Sequence, residues 1–332
     1  MPLTGSSRPP GPRHRHHGGI PSRIGGPVSH PSTALSGRTA IVTGAGAGLG
    51  RAEALALAAA GANVVVNDVS EAGDKVVAEI EAGGGQALAV PGDIGDWHYA
   101  EELVAAATEG FGSLDIVVNN AGITRDAMLF NLGEQDWDDV IRVHLKGHAA
   151  LSRAAARHWR QVSKTAGEPA YGRLINTSSE AFLLGGAGQP NYAAAKAGIA
   201  ALTLSCARGL SRYGVRANAI CPRARTAMTD GIFAAGRSAG GLDILAPERV
   251  AAFVAYLGSP AAEAVNGQVF VVYGDMVALL APPTVEHRFV SARGAFDPAE
   301  LERAVTPYFA GRDPRKTFAA SDIVGLDDTE TS

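Results

Sequence analysis

Thr43-Gly44-Ala45-Gly46-Ala47-Gly48-Leu49-Gly50 decides the fold. The octet follows a short apolar run, Thr39–Thr43, and opens the first long helical stretch. Glycine lets a chain turn tightly and brings its main chain close to a pyrophosphate. The first turn of a helix adds unpaired N–H groups and the positive end of a dipole. A glycine-rich loop can also be a plain tight turn. The strand before it and the helix after it are what make this one a phosphate loop.

Outward from the octet, apolar runs alternate with helical stretches. The strand candidates are Thr39–Thr43, Asn63–Asn67, Gln86–Val90, Asp115–Val118, Arg173–Ser178, Val215–Cys221 and Gln268–Val272. They are short, mostly rich in Val and Ile, and do not alternate with polar residues, as expected of strands buried on both faces. Repeated βα units imply a parallel sheet with right-handed crossovers. The expectation is an α/β, Rossmann-like, doubly wound domain over 35–281, with no solenoid repeat.

Two flanking pieces differ. Residues 1–34 hold Pro2, Pro9, Pro10, Pro12, Pro21, Pro27 and Pro31, four Arg and no acid, and read as a disordered extension. Its His14, His16 and His17 lack a supporting ligand cluster, so no metal is expected. Residues 282–332 form a tail with one candidate helix, Asp297–Ala310, capped by Asp297 with Pro298 at its first position. The end of the tail, Ser321–Ser332, reads as frayed.

Composition narrows the function. The chain has 332 residues, 46% of them hydrophobic, and a net charge of -4, so no general field draws it to nucleic acid or an anionic membrane. No apolar run approaches the roughly 20 residues that span a bilayer. Two cysteines, Cys206 and Cys221, make no disulfide framework, which fits a reducing cytoplasm.

The second strand ends in Val65-Val66-Asn67-Asp68. An acid about 20 positions past the loop can accept hydrogen bonds from the ribose of NAD, and it repels the phosphate that NADP carries there. NAD(H) is therefore expected over NADP(H). Asp68 could instead cap the next turn.

These features, with Asn119-Asn120-Ala121-Gly122 and Tyr192-x-x-x-Lys196 in this order, resemble the short-chain dehydrogenase/reductase family over about residues 36 to 280. The resemblance implies that Gly44, Gly48, Leu49, Gly50, Asp68, Asp93, Asn119, Ala121, Gly122, Tyr192, Lys196 and Pro222 bind the cofactor. It implies Ser179, Tyr192 and Lys196 as catalytic residues, with Ser178 as the alternative serine. Tyrosine and lysine at i and i+4 share a helix face. Free tyrosine has a pKa near 10, and a neighbouring ammonium favours its phenolate. Tyr192 then exchanges a proton with the substrate oxygen while hydride moves to or from the nicotinamide. Ser179 polarises the substrate carbonyl.

Two positions depart from the family pattern. His144 stands where many members carry an asparagine that supports a proton relay, and either a chemical or a structural role is open to it. Cys221-Pro222-Arg223-Ala224-Arg225 replaces a common Pro-Gly, and Arg223 or Arg225 could meet an anionic group such as a coenzyme A phosphate or lie on the surface. Glu180 has no account in so apolar a neighbourhood.

Within the family the chain is similar to the (3R)-hydroxyacyl-CoA dehydrogenase domain of peroxisomal multifunctional enzyme type 2, through Val64–Asp68, Thr124-Arg125-Asp126, Arg142–Gly147, Ala227-Met228-Thr229 and Leu245–Glu248. That implies a 3-hydroxyacyl or 3-oxoacyl thioester substrate. The substrate-selecting segments, Phe182–Pro190 and Thr226–Ala246, are apolar and equally suit a steroid or polyketide ketone. A cofactor-sensing binding protein is the non-enzymatic alternative. Two Ala-rich helical stretches, Glu134–Arg160 and Asn191–Tyr213, imply a homodimer or homotetramer.

Overall fold

The computed structural model describes residues 34–225, 243–313 and 317–320. The N-terminal extension with its three histidines, the segment 226–242 that holds Ala227-Met228-Thr229, and residues 321–332 lie outside the described residues. The chain divides after His30, and every described residue belongs to the unit Pro31–Ser332.

Eight strands form one sheet: β1 (Thr39–Thr43), β2 (Asn63–Asp68), β3 (Ala87–Pro91), β4 (Ile116–Asn119), β5 (Gly172–Thr177), β6 (Val215–Arg223), β7 (Val269–Tyr273) and β8 (Met276–Leu279). Their spatial order is β3-β2-β1-β4-β5-β6-β7-β8. The first seven pair in parallel; β8 returns antiparallel to β7. The seven expected strands are present, β1 with the expected ends and the other six with an end shifted by one or two residues. The eighth is a hairpin partner joined through Gly274-Asp275, where Gly274 adopts a φ of 56°.

Helices α1 (Gly48–Ala59), α2 (Ala72–Ala82) and α8 (Pro247–Gly258) cover one face. On the other lie α3 (Tyr99–Phe111), α5 (Gly147–Ala166) and α7 (Pro190–Leu210), with α4 (Glu134–Ile141) leading into α5. Pleating sends successive strand residues to opposite layers. Val42, Val66, Val118 and Ile175 join the first core, and Ile41, Val65, Val117 and Leu174 the second. Both layers are fully buried at these positions, which is why the strands carry no polar alternation.

Sheet order reverses between β1 and β4. In open α/β sheets that crevice, beyond the carboxyl ends of the strands, is where ligands bind. A cavity of about 300 Å³ lies there.

Candidate active site

The glycine loop closes onto the end of β4. A side chain at Gly44 would meet the Ala121 Cα at 2.8 Å, and one at Gly50 would meet the Gly44 oxygen at 2.3 Å. Gly44 and Gly48 have φ of 63° and 54°, which only glycine adopts cheaply. No side chain caps α1 at Ala47, so its first turn faces the cavity uncapped. These features fit a cofactor pyrophosphate: space that a Cβ would fill, and a helix start with no side-chain occupant.

Thr43 and Asn120 hold the loop. The Thr43 hydroxyl oxygen accepts from the N–H of Asn120 at 3.0 Å and of Ala121 at 3.1 Å. The Asn120 amide donates back to Thr43 O at 3.0 Å. Asp68 ends β2 at the cavity's edge. Its Oδ2 accepts from Gly46 N at 3.0 Å and its Oδ1 from Ser70 N at 3.1 Å.

Tyr192 and Lys196 line the cavity from the first turns of α7, and Ser179 lines it from the end of β5. Lys196 is buried, and its Nζ donates to Thr177 O at 2.6 Å. Burial pushes the Lys196 ammonium down to about 7. Burial raises the Tyr192 phenol, and a hydrogen bond with the Ser179 side chain opposes that rise. Ser178 also lines the cavity, but its hydroxyl is engaged, Oγ donating to Lys196 O at 2.9 Å. The Thr177 hydroxyl is buried on the cavity wall without a hydrogen-bond partner.

His144 sits in a π-helical turn, Arg142–Lys146, between α4 and α5. Its ring lies edge-on to Tyr192, with centroids 5.2 Å apart. Nε2 is 2.9 Å from Ile123 N and 2.7 Å from Ile123 O, and Nδ1 is buried without a partner. Burial, then the Lys196 charge, push its pKa down to about 3, so the ring is neutral. Gly122 exists for this ring: a Cβ there would meet His144 Cε1 at 2.3 Å.

Gly44, Gly48, Leu49, Gly50, Asp68, Ala121, Gly122, His144, Ser179, Tyr192, Lys196 and Pro222 all line the one cavity. Asp93 and Asn119 stand apart from that lining. The Asp93 carboxylate accepts from Gly95 N at 2.8 Å and pairs with Arg142 at 2.5 Å. The Asn119 amide donates to Asn176 Oδ1 at 2.9 Å and to Ser152 Oγ at 3.2 Å, tying β4 to β5 and α5. Sequence reasoning missed Asn191, fully buried, whose amide donates to Arg125 O at 3.0 Å and Asp136 O at 3.2 Å. It fixes the start of α7, one residue before Tyr192. Its signal was its place beside that tyrosine.

The segment between Ser179 and Tyr192 carries a short helix, α6 (Ala181–Leu184). The tail returns to it: Ala320 N donates to Leu183 O at 3.0 Å. At its far end Ala127 N donates to Gly188 O at 2.9 Å. The expected helix in the tail is α9 (Pro298–Ala310), with Asp297 accepting from Glu300 N. Arg225 is ion-paired with Asp243 at 2.9 Å, and Glu180 with Arg223 at 2.7 Å.

Residues 38–235 match the family described as short chain dehydrogenase. The chain is 57% identical over 302 residues to hydroxyacyl-CoA dehydrogenase ChsB1 of Mycobacterium tuberculosis, covering 88% of this chain and 95% of that protein. It is 40% identical over 256 residues to peroxisomal multifunctional enzyme type 2 of Mus musculus, which covers 74% of this chain and 33% of that protein. A solved short chain dehydrogenase from Mycobacterium avium superposes with a TM-score of 0.77 at 46% identity, over 86% of this chain and 99% of that one.

Proposed function

The chain belongs to the short-chain dehydrogenase family, an oxidoreductase family that uses a nicotinamide cofactor, and from that premise we propose that it interconverts a 3-hydroxyacyl and a 3-oxoacyl thioester with NAD(H). The observation that carries the reading is the convergence of Ser179, Tyr192 and Lys196 on the cavity that the glycine loop also lines. The thioester class is supported by the named activity of the Mycobacterium tuberculosis relative. NAD(H) is supported by Asp68 at the cavity's edge, whose charge opposes a ribose phosphate.

The cofactor supplies or accepts hydride when bound. Gly44, Gly48, Leu49 and Gly50 would hold its pyrophosphate, and Asp68 its adenine-side ribose. In the reductive direction Tyr192 gives its phenolic proton to the substrate oxygen, and Ser179 donates a hydrogen bond to that oxygen. Lys196, anchored by one N–H on Thr177 O, keeps its other N–H groups for the nicotinamide ribose and for stabilising the phenolate. The neutral His144 ring packs against Tyr192 and limits where the phenol can sit. Assembly as a homodimer or homotetramer fits the apolar side chains that α4, α5 and α7 expose, Trp137, Val162 and Leu204.

The test is NADH formation from NAD and a panel of (3R)-hydroxyacyl-CoAs, with Tyr192→Phe beside the wild type. Turnover that collapses by about 10³-fold in the variant supports the reading. Wild-type turnover on steroids or other secondary alcohols but on no thioester overturns the thioester class. Inactivity on all of them, with NADH still bound, favours a cofactor-sensing protein.

A further inference from the structure

Ser179 and Pro222 both line the cavity, from the ends of β5 and β6. Their immediate successors, Glu180 and Arg223, are joined by two parallel hydrogen bonds: Arg223 Nε to Oε2 at 2.7 Å and Nη2 to Oε1 at 2.8 Å. Both side chains are largely buried, 13% and 10% exposed. The guanidinium also lies 5.3 Å from the ring of Tyr273, which pairs in register with Arg223 at the end of β7. We propose that the Glu180–Arg223 pair is a positioning clamp for Ser179, fixing the serine wall of the cavity against the Pro222 wall during alcohol–ketone turnover.

The main chain shows why Ser179 needs such a clamp. It stands past the last β5 residue, Thr177, beyond the ladder to β6. The turn that follows leans on itself: Ala181 N donates to Ser179 Oγ at 3.2 Å, and Leu183 N and Leu184 N donate to Glu180 O at 2.9 and 3.0 Å. These are local bonds within one loop. Ser178 N donates to Ile220 O at 2.7 Å, and beyond that main-chain bond the Glu180 side chain ties the turn to β6. A forked guanidinium–carboxylate contact specifies direction as well as distance. A buried ion pair is a weak source of net stability, and geometric specification is its better-attested use. The fork that Arg223 turns toward Glu180 is engaged there, so those donors are not a coenzyme A phosphate anchor.

The inference rests on the proposed alcohol–ketone chemistry, and its test separates the two. Glu180→Gln keeps the shape and removes the charge. Displacing a catalytic group by about 1 Å costs on the order of 10²-fold, so kcat should fall by about 30-fold while the NADH Kd stays within about twofold. Added to Ser179→Ala, the same change should cost less than about twofold more, because residues acting as one unit are not additive. The exchanged pair, Glu180→Arg with Arg223→Glu, should recover about tenfold over Glu180→Gln, since the two charges again neutralise each other. Glu180→Gln kcat within twofold of wild type, or a full further loss in the Ser179→Ala background, would overturn the clamp. If Glu180→Gln does not fold, Arg223→Lys, which keeps the charge and loses the fork, must show a kcat loss with NADH binding retained. Wild-type inactivity would overturn the proposed chemistry instead. Amide exchange over residues 179–185 then decides the clamp alone: about tenfold faster in Glu180→Gln supports it, and unchanged exchange rejects it.

Discussion

Ser178 gives its hydroxyl hydrogen to the main-chain oxygen of Lys196 at 2.9 Å. That bond ties the chain just past β5 to α7 and engages the Ser178 hydroxyl, whereas it is the Ser179 side chain that opposes the burial-driven rise of the Tyr192 phenol. The two adjacent serines should therefore fail differently. Ser179→Ala should cost about 10²-fold in kcat, the range for one lost donor to a reacting oxygen, with little change in melting temperature. Ser178→Ala should cost about 1 kcal/mol of stability and leave most of kcat. Steady-state kinetics beside thermal unfolding distinguishes them, and equal kcat losses would reject the assignment.

Gly122 and His144 form an interlocking pair, because a Cβ on Gly122 would lie 2.3 Å from the His144 ring. Gly122→Ala should force the ring off Ile123 and cost about 1–3 kcal/mol, as overpacking does. Shortening the histidine removes the clash, so the cost of Gly122→Ala should largely vanish in a His144→Ala background. Urea midpoints for the four proteins measure this. Additive losses would mean that the ring is not what excludes a side chain.

Glu53 lies on α1, a turn past the glycine loop. It is fully buried, and neither carboxylate oxygen has a partner. Burial alone pushes its pKa up to about 8, against about 4.3 in an unfolded chain. A carboxyl raised on folding binds its proton more tightly in the native state. It costs nothing below the unfolded pKa and destabilises increasingly as pH rises from about 4.3 to about 8. At pH 7 the cost is on the order of 3 kcal/mol. Glu53→Gln should thus be near neutral at pH 4.5 and gain in stability over wild type toward pH 8. Denaturant unfolding at several pH values checks it, and parallel pH curves for the two proteins would refute it.

How much of this was legible in the sequence follows the range of the interactions. The glycine octet, the strands and Tyr192 with Lys196 are local patterns, set by backbone freedom, burial and helix spacing. β8 escaped because a short edge strand with Val277 and Leu279 half exposed carries no core signal. The Glu180–Arg223 pair spans 43 positions, and neither residue carries a local sign of the other. The anchoring of α7 by Asn191 likewise depends on main-chain oxygens at Arg125 and Asp136 that only the fold brings together. That Asp93 and Asn119 are outside the cavity lining has the same origin, since Asp93 pairs with Arg142 and Asn119 bonds Asn176, residues far away in the sequence.

On the proposed NAD(H) reading, the Asp68 charge is what disfavours a ribose phosphate. The two Asp68 oxygens are already oriented by Gly46 N and by Ser70, so the carboxylate is held in place before any ribose arrives. Asp68→Asn removes the charge with little change in shape. The NADPH Kd should improve by at least about tenfold, because a like-charge contact near the surface costs about 1–4 kcal/mol. Fluorescence titration of both cofactors tests this, and an unchanged ratio would move the discrimination elsewhere.

Ala320 reaches Leu183 through a main-chain bond of 3.0 Å, and that bond isolates the contribution of the tail. Leu183 belongs to α6, which starts two residues after Ser179, so anything that steadies α6 steadies the segment expected to face the substrate. Proline has no N–H, and Ala320→Pro removes this one donor while leaving the rest of the tail's sequence intact. A single net hydrogen bond is worth about 1 kcal/mol, which sets the expected change at about fivefold. On the proposed thioester chemistry, with the acyl chain running along α6, it should appear as a higher KM for long acyl thioesters. On the same reading a four-carbon thioester should keep its KM, and the NADH Kd should hold for both. Equal effects on short and long substrates would show that the tail acts on the whole domain, and no effect on either would show that α6 holds its place without it.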